Sequence, residues 1–213
     1  MTASYPLCHR IVCGLTLVGA LICGSSVSML AAAEPVKAAD PSTTVIDKTV
    51  KVGDTAPEFM LNALAGEQTK LSVAAAKGTV VLVVLRGWPG YQCPACDRQV
   101  QEFIGSAAAF TEAKAQVIFV YPGPADGLVA HAKEFSELKG KQWPKEFQLL
   151  LDPDYAMTNA YGLRWDAKGE TAYPSTFVLD QKRVVRFAKI SKGHGDRSKA
   201  ADVLAELRKP ATK

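Results

Sequence analysis

Arg86-Gly-Trp-Pro-Gly-Tyr-Gln-Cys-Pro-Ala-Cys96 is the stretch that decides how the rest of the chain is read. It follows a run of six apolar residues, Val80-Val-Leu-Val-Val-Leu85, and precedes a segment with apolar side chains at helical spacing. A loop therefore carries Cys93 and Cys96 from the end of a buried strand to the start of an amphipathic helix. The first N–H groups of a helix lack intrahelical partners, so the helix end carries partial positive charge and favours a thiolate at Cys93. The C-x-x-C spacing is about one helical turn, which brings both sulfurs to one face within bridging reach. Pro94 suits the first helical turn, where its missing N–H removes no bond. A C-x-x-C at a strand-to-helix junction reads as a redox pair; the alternatives are a fixed structural disulfide and half of a zinc site.

Working outward, the chain of 213 residues is 48% hydrophobic, enough for one domain with a good core once its N-terminal segments are set aside. The net charge of +4 comes from interleaved Lys and Arg, with no basic block, which argues against a nucleic-acid partner. Residues 1–33 read as a signal peptide. His9 and Arg10 precede a mostly apolar run from Ile11 to Leu30, and Ala31-Ala32-Ala33 supplies the small residues for cleavage before Glu34. The rival is an uncleaved anchor, since Ile11 to Ala33 is long enough to span a bilayer. An exported, periplasmic or extracytoplasmic protein is expected, with no membrane contact beyond this segment. Residues 34–50 are polar and irregular and read as a flexible linker, leaving 51–213 as the domain. Of the five cysteines, Cys8, Cys13 and Cys23 lie in the signal segment, so only Cys93 and Cys96 remain to pair.

Within the domain, Met60 to Leu71 reads as a hairpin turned at Ala65-Gly66-Glu67, followed by a short helix N-capped by Ser72 and ended by Gly78. Val80 to Leu85 is apolar at every position, as in a strand covered on both faces. Cys96, Val100, Phe103, Ile104 and Ala107 line one face of the next helix. Gln116 to Tyr121 is a second buried strand, stopped by Pro122-Gly-Pro. Leu128 to Leu138 is a helix with Val129, Ala132 and Phe135 inward, Gln148 to Asp152 a third strand, and Tyr155 to Tyr161 a helix ended by Gly162. Tyr173–Asp180 and Arg183–Ala188 form a hairpin around Gln181-Lys182, and Ser198 to Arg208 is the last helix. This alternation predicts an α/β fold: a central mixed β-sheet flanked by helices on both faces, with an N-terminal hairpin.

With the C-x-x-C after the first buried strand and Pro174-Ser-Thr-Phe-Val-Leu-Asp180 near the end, the chain resembles the thioredoxin superfamily. More narrowly it is similar to the redoxin branch that holds peroxiredoxins, the AhpC/TSA group, and exported thioredoxin-like reductases. Val52-Gly-Asp-Thr-Ala-Pro-Glu-Phe59, Leu151-Asp-Pro-Asp-Tyr-Ala and Ala160-Tyr-Gly162 carry the narrower likeness, which covers roughly Val50 to Leu207. The resemblance implies a cis peptide bond before Pro174, a proline facing the cysteine pair, and neighbouring backbone able to pair with a substrate chain; the alternative is a trans proline opening an edge strand.

Two enzymatic activities follow from the resemblance. In the leading one, an exposed, ionised Cys93 attacks a partner's disulfide and Cys96 resolves the mixed disulfide. In the alternative, Cys93 is the peroxidatic cysteine and Cys96 the resolving one, giving an antioxidant thiol peroxidase. Peroxiredoxins place a proline seven residues and a Thr or Ser three residues before the attacking cysteine, where this chain has Arg86 and Gly90. They also carry an arginine before the Ser/Thr-Thr-Phe run, where this chain has Pro174. The partners implied are a protein thiol, disulfide or reductant, or a peroxide; no cofactor is implied.

The supporting residues each carry two readings. Arg86 is a cationic neighbour of the thiolate or a solvated strand end, and Arg164 is a second cation able to stand in for the missing arginine. Trp88 and Tyr91 floor a substrate groove or pack. Glu58 and Asp97 are candidates to deprotonate Cys96, or surface charges. His194, in Lys192-Gly-His-Gly-Asp196, is a surface residue or the third ligand of a non-enzymatic metal-binding protein. Zinc is disfavoured, because His131 and His194 would have to complete its four ligands from separate elements, and no metal is assigned.

Overall fold

The computed structural model describes residues 49–210, so the signal segment and all but the end of the 34–50 linker lie outside the described residues. At that end Val50 is already part of the core, its N–H donating to the Tyr161 carbonyl at 3.3 Å.

Seven strands form one sheet: β1 (Met60–Ala63), β2 (Gln68–Lys70), β3 (Thr79–Val84), β4 (Ala115–Gly123), β5 (Phe147–Pro153), β6 (Ser175–Leu179) and β7 (Val185–Ile190). Their spatial order is β2-β1-β5-β4-β3-β6-β7. β3, β4 and β5 run parallel at the centre, and β1, β2, β6 and β7 are antiparallel additions on the two sides. The period-two alternation of a strand splits β3 between two cores. Val81, Val83 and Leu85 join Phe103, Phe119 and Phe135 on one face, while Val80, Leu82 and Val84 join Ile118, Val120 and Leu150 on the other. Both faces of β3 are thus covered, which is why its sequence is apolar throughout.

Helices α1 (Leu71–Ala76), α2 (Pro94–Gly105), α3 (Ala107–Glu112), α4 (Leu128–Glu137), α5 (Ala156–Ala160) and α6 (Ala200–Leu207) cover the sheet on both faces. The expected mixed sheet, its N-terminal hairpin β1–β2 and the β6–β7 hairpin are all present. Four local expectations need correction. Ser72 does not cap α1. The helix begins at Leu71, and the Glu58 carboxylate accepts the Ser72 N–H at 3.0 Å from outside the helix. Val129 is exposed, because Leu128, Ala132 and Phe135 form the buried stripe of α4. Ala107 belongs to a separate helix, since Ser106 breaks the helical backbone between α2 and α3. Pro122 does not stop β4, which runs on through Gly123 beside β5. Leu151-Asp-Pro-Asp-Tyr-Ala proves to be scaffold: fully buried Asp152 accepts the Met157 and Thr158 N–H groups, each at 2.8 Å, and so starts α5.

Candidate active site

The cysteine pair sits where the parallel strands end. Leu85 N–H reaches the Val120 carbonyl at 2.9 Å, and three residues on Trp88 N–H reaches the Pro122 carbonyl at 3.1 Å. Between them Gly87 has φ +76°, and a Cβ there would collide with the Pro122 carbonyl, so this close approach of two backbones requires glycine. The chain then turns into α2 with Cys93 at the N-cap and Pro94 at the first helical position. Cys93 Sγ accepts the Cys96 N–H at 3.4 Å, and Cys96 Sγ accepts the Arg86 N–H at 3.3 Å. Both thiols are free. Against the expectation of an exposed Cys93, the residue is only 3% accessible and Cys96 1%, because both fold into the core beneath α2.

The two sulfurs are pushed in opposite directions. A hydrogen bond from the Cys96 thiol, helped by the Cys96 N–H and the positive charge of Arg197, outweighs burial and lowers the Cys93 pKa to about 5. Burial, and the proton it shares with Cys93, push the Cys96 thiol well above its usual range. Cys93 is therefore the thiolate at neutral pH and Cys96 the proton-bearing partner.

The cation at the sulfurs is Arg197, which sequence reasoning missed. Its Nη2 lies 3.4 Å from Cys96 Sγ and 3.7 Å from Cys93 Sγ, and its Nη1 donates to Gln99 Oε1 at 3.0 Å. Gln99 Nε2 in turn donates to the Ser198 carbonyl at 3.2 Å, tying the 191–198 loop to α2. The only sequence signal was an arginine in a glycine-containing loop ahead of α6, which does not by itself point to the cysteines.

Arg86 fits neither of its expected roles. It is 2% exposed, so it is not a solvated strand end, and its guanidinium is engaged by partners other than the sulfurs. Nε meets Glu170 Oε2 at 2.7 Å, Nη1 donates to the Tyr91 hydroxyl at 2.5 Å, and Nη2 donates to the Gly169 carbonyl at 2.6 Å. Its backbone reaches the site instead: its N–H contacts Cys96, and its carbonyl accepts the Thr171 hydroxyl. Burial would raise the Glu170 carboxyl, but hydrogen bonds from Arg86 and His194 outweigh it and hold it below the usual range. His194 Nε2 lies 2.9 Å from Glu170 Oε1, so the histidine engages a carboxylate, not the cysteines. Among the described residues no cluster of His, Cys, Asp or Glu is arranged to hold a metal ion.

Trp88 packs, its ring stacked on His131 at 3.7 Å between centroids, while Tyr91 is 48% exposed and supports Arg86. Arg164 lies over the Tyr155 ring and donates to the Trp165 and Thr171 carbonyls. Glu58 serves α1. Asp97 is not a surface charge: it is 1% exposed and neutralised by Lys139 at 2.8 Å and Lys141 at 2.7 Å. Pro174 is buried at the head of β6. It directly precedes Ser175, which pairs with Val84 at the end of β3. The backbone there is already used. The Pro174 carbonyl accepts the Ser191 N–H at 2.8 Å, the Tyr173 N–H donates to Leu163 at 2.9 Å, and the Tyr173 carbonyl accepts the Ser175 hydroxyl at 2.9 Å.

Comparison with known proteins agrees with this architecture. The model of the AhpC/TSA family matches residues 52–188. Chloroplastic peroxiredoxin Q of Oryza sativa subsp. japonica is 32% identical over 157 residues, covering 72% of this chain and 67% of the relative. The crystal structure of peroxidoxin BcpB from Mycobacterium tuberculosis superposes with a TM-score of 0.61 at 28% identity, covering 74% of this chain and 96% of that one. A peroxiredoxin-like protein from Aquifex aeolicus shares the fold at 19% identity, with a TM-score of 0.60 and coverage of 76% and 88%.

Proposed function

The chain belongs to the AhpC/TSA family of thiol-dependent oxidoreductases, and from that premise we propose that it is a thiol peroxidase with Cys93 peroxidatic and Cys96 resolving. The observation that carries this reading is Arg197, whose guanidinium contacts both sulfurs. It supplies from the C-terminal loop the positive charge that peroxiredoxins take from the position occupied here by Pro174. Cys93 thiolate attacks one peroxide oxygen; the O–O bond breaks, the second oxygen leaves as alcohol or water after taking a proton, and Cys93 becomes a sulfenic acid. Arg197, together with the Cys96 N–H, stabilises the charge developing on the departing oxygen. Cys96 then attacks the sulfenic sulfur, its proton leaves with the hydroxyl as water, and a Cys93–Cys96 disulfide forms. An external dithiol returns both cysteines to the thiol form by exchange.

Accessibility favours a small oxidant. At 3% exposure Cys93 admits a peroxide more readily than a folded partner's disulfide, and the occupied backbone of Tyr173 and Pro174 offers no free strand to a polypeptide. Disulfide exchange remains the second reading, favoured by Cys93 at the N-cap with Cys96 one turn on. The residue 1–33 segment supports placing this activity in an exported, periplasmic compartment.

The test is a direct comparison on one sample. Reduced protein is expected to consume hydrogen peroxide or an organic hydroperoxide rapidly with a dithiol donor, and Cys93→Ser to abolish this. Faster reduction of insulin disulfides than of any peroxide would reverse the order of the two readings.

A further inference from the structure

A closed ring of contacts surrounds the cysteine pair and passes through a residue with no contact to either sulfur. Starting at Cys96, the Arg86 N–H donates to Sγ, and the Arg86 guanidinium meets one oxygen of Glu170. The other Glu170 oxygen meets His194, whose carbonyl accepts Arg197 Nε at 2.8 Å, and Arg197 Nη2 returns to Cys96 and Cys93. Glu170 is the one acidic member of this ring. It joins the floor of the site, at the end of β3, to the rim, in the loop between β7 and α6. On the rim the loop is held further by Lys189 and Asp196 at 2.6 Å, by the Gln99 bonds, and by the Trp165 ring against His194.

We propose that Glu170 is a positioning residue: by gripping Arg86 and His194 at once, it fixes the 191–198 loop so that Arg197 stays on both sulfurs. A carboxylate suits this task because its two oxygens accept two partners from different directions, and both partners present N–H donors. Its neutral isostere keeps an acceptor oxygen for Arg86 but can reach His194 only by donating to the other histidine tautomer, and it brings no charge to either contact, so it weakens the ring. The inference deepens the reading of Cys93 as the reacting sulfur and rests on it.

The experiment uses reduced full-length protein with Glu170→Gln, Glu170→Asp and His194→Ala. Glu170→Gln leaves the buried Arg86 guanidinium without its anion and risks the fold. His194→Ala alters a half-exposed residue and cuts only the rim side, so it keeps the question open to measurement. Two readouts are taken: the pH midpoint of thiolate absorbance with iodoacetamide alkylation of Cys93, and kcat/KM for peroxide at saturating dithiol. Glu170→Gln, where it folds, and His194→Ala are expected to raise the Cys93 midpoint and to cut alkylation at pH 5 roughly fivefold and kcat/KM roughly tenfold, with Glu170→Asp recovering part of the loss. Unchanged midpoint and unchanged kcat/KM in folded His194→Ala, whether or not Glu170→Gln folds, would overturn the proposal. The titration stands apart from the choice of substrate. A wild type inactive on peroxide whose midpoint still moves in the variants defeats the peroxidase reading and keeps Glu170 in its role.

Discussion

Two loops meet at the sulfurs, and they are held by different means. The entry to the Arg86–Gln92 loop is set by backbone, where β3 continues its pairing through Leu85, Gly87 passes against the Pro122 carbonyl and Trp88 bonds to that same carbonyl, while the Arg86 and Gln92 side chains anchor its two ends. The 191–198 loop is held mostly by side chains, through Glu170 to His194, Gln99 to Ser198 and Arg197, and Lys189 to Asp196. The first delivers the cysteines and the second delivers the charge that acts on them. A backbone frame tolerates most substitutions but fails wholesale at the glycine that permits it. A frame of side chains can be cut one contact at a time, with chemistry lost while the fold persists.

The sharpest way to break the first loop is Gly87→Ala. It forces a Cβ into the Pro122 carbonyl at positive φ, and is expected to cost about 3 kcal/mol or more, read as a lower urea midpoint. Arg197→Ala should do the reverse, cutting kcat/KM for peroxide roughly 100-fold while stability moves by less than about 1 kcal/mol, as a stopped-flow assay beside a melt would show. Gln99→Ala, which frees Arg197 and Ser198 together, should cost roughly tenfold in rate and about 1 kcal/mol in stability. Equal losses of stability in Gly87→Ala and Arg197→Ala would erase the contrast between the loops.

The last test is a pH dependence. The Cys93 pKa is depressed from 9.0 to about 5 on folding, so its stabilising contribution is complete above pH 9 and is lost as the pH falls toward 5. Cys96, raised in the fold, works the opposite way only as the pH climbs past 9, where the unfolded thiol would ionise. Between pH 5 and 8 the reduced wild type should therefore gain stability over Cys93→Ser as the pH rises, read from paired melts.

The backbone-held half of the site was legible in the sequence. An unbroken apolar run, a glycine-rich loop and Cys-Pro-Ala-Cys place two sulfurs at a helix start through local rules alone, and the pattern of strands and hairpins gave the mixed sheet. The other half was not. Arg197 lies 101 residues from Cys96, Glu170 lies 84 from Arg86, and nothing in local spacing records that chain closure brings them together. Arg86 misled for the same reason. Its place beside the motif suggested a charge for the thiolate, yet a carboxylate from a distant loop claims the guanidinium and leaves only the backbone N–H for sulfur. Asp97 looked like a surface charge until Lys139 and Lys141 arrived from beyond the end of α4. Helical spacing alone places Val129 in the buried stripe because it does not separate it from its neighbour Leu128, which is the residue that is buried.

The central claim is that Cys93 is struck first and Cys96 closes upon it. Intact mass analysis after one equivalent of hydrogen peroxide tests it most directly. The reduced wild type should become two hydrogen masses lighter, with both thiols lost to a Cys93–Cys96 bridge, and Cys96→Ser should gain a single oxygen that dimedone captures at Cys93. Oxygen captured at Cys96 in a Cys93→Ser variant at the wild-type rate, or no bridge formed by the wild type, would contradict it.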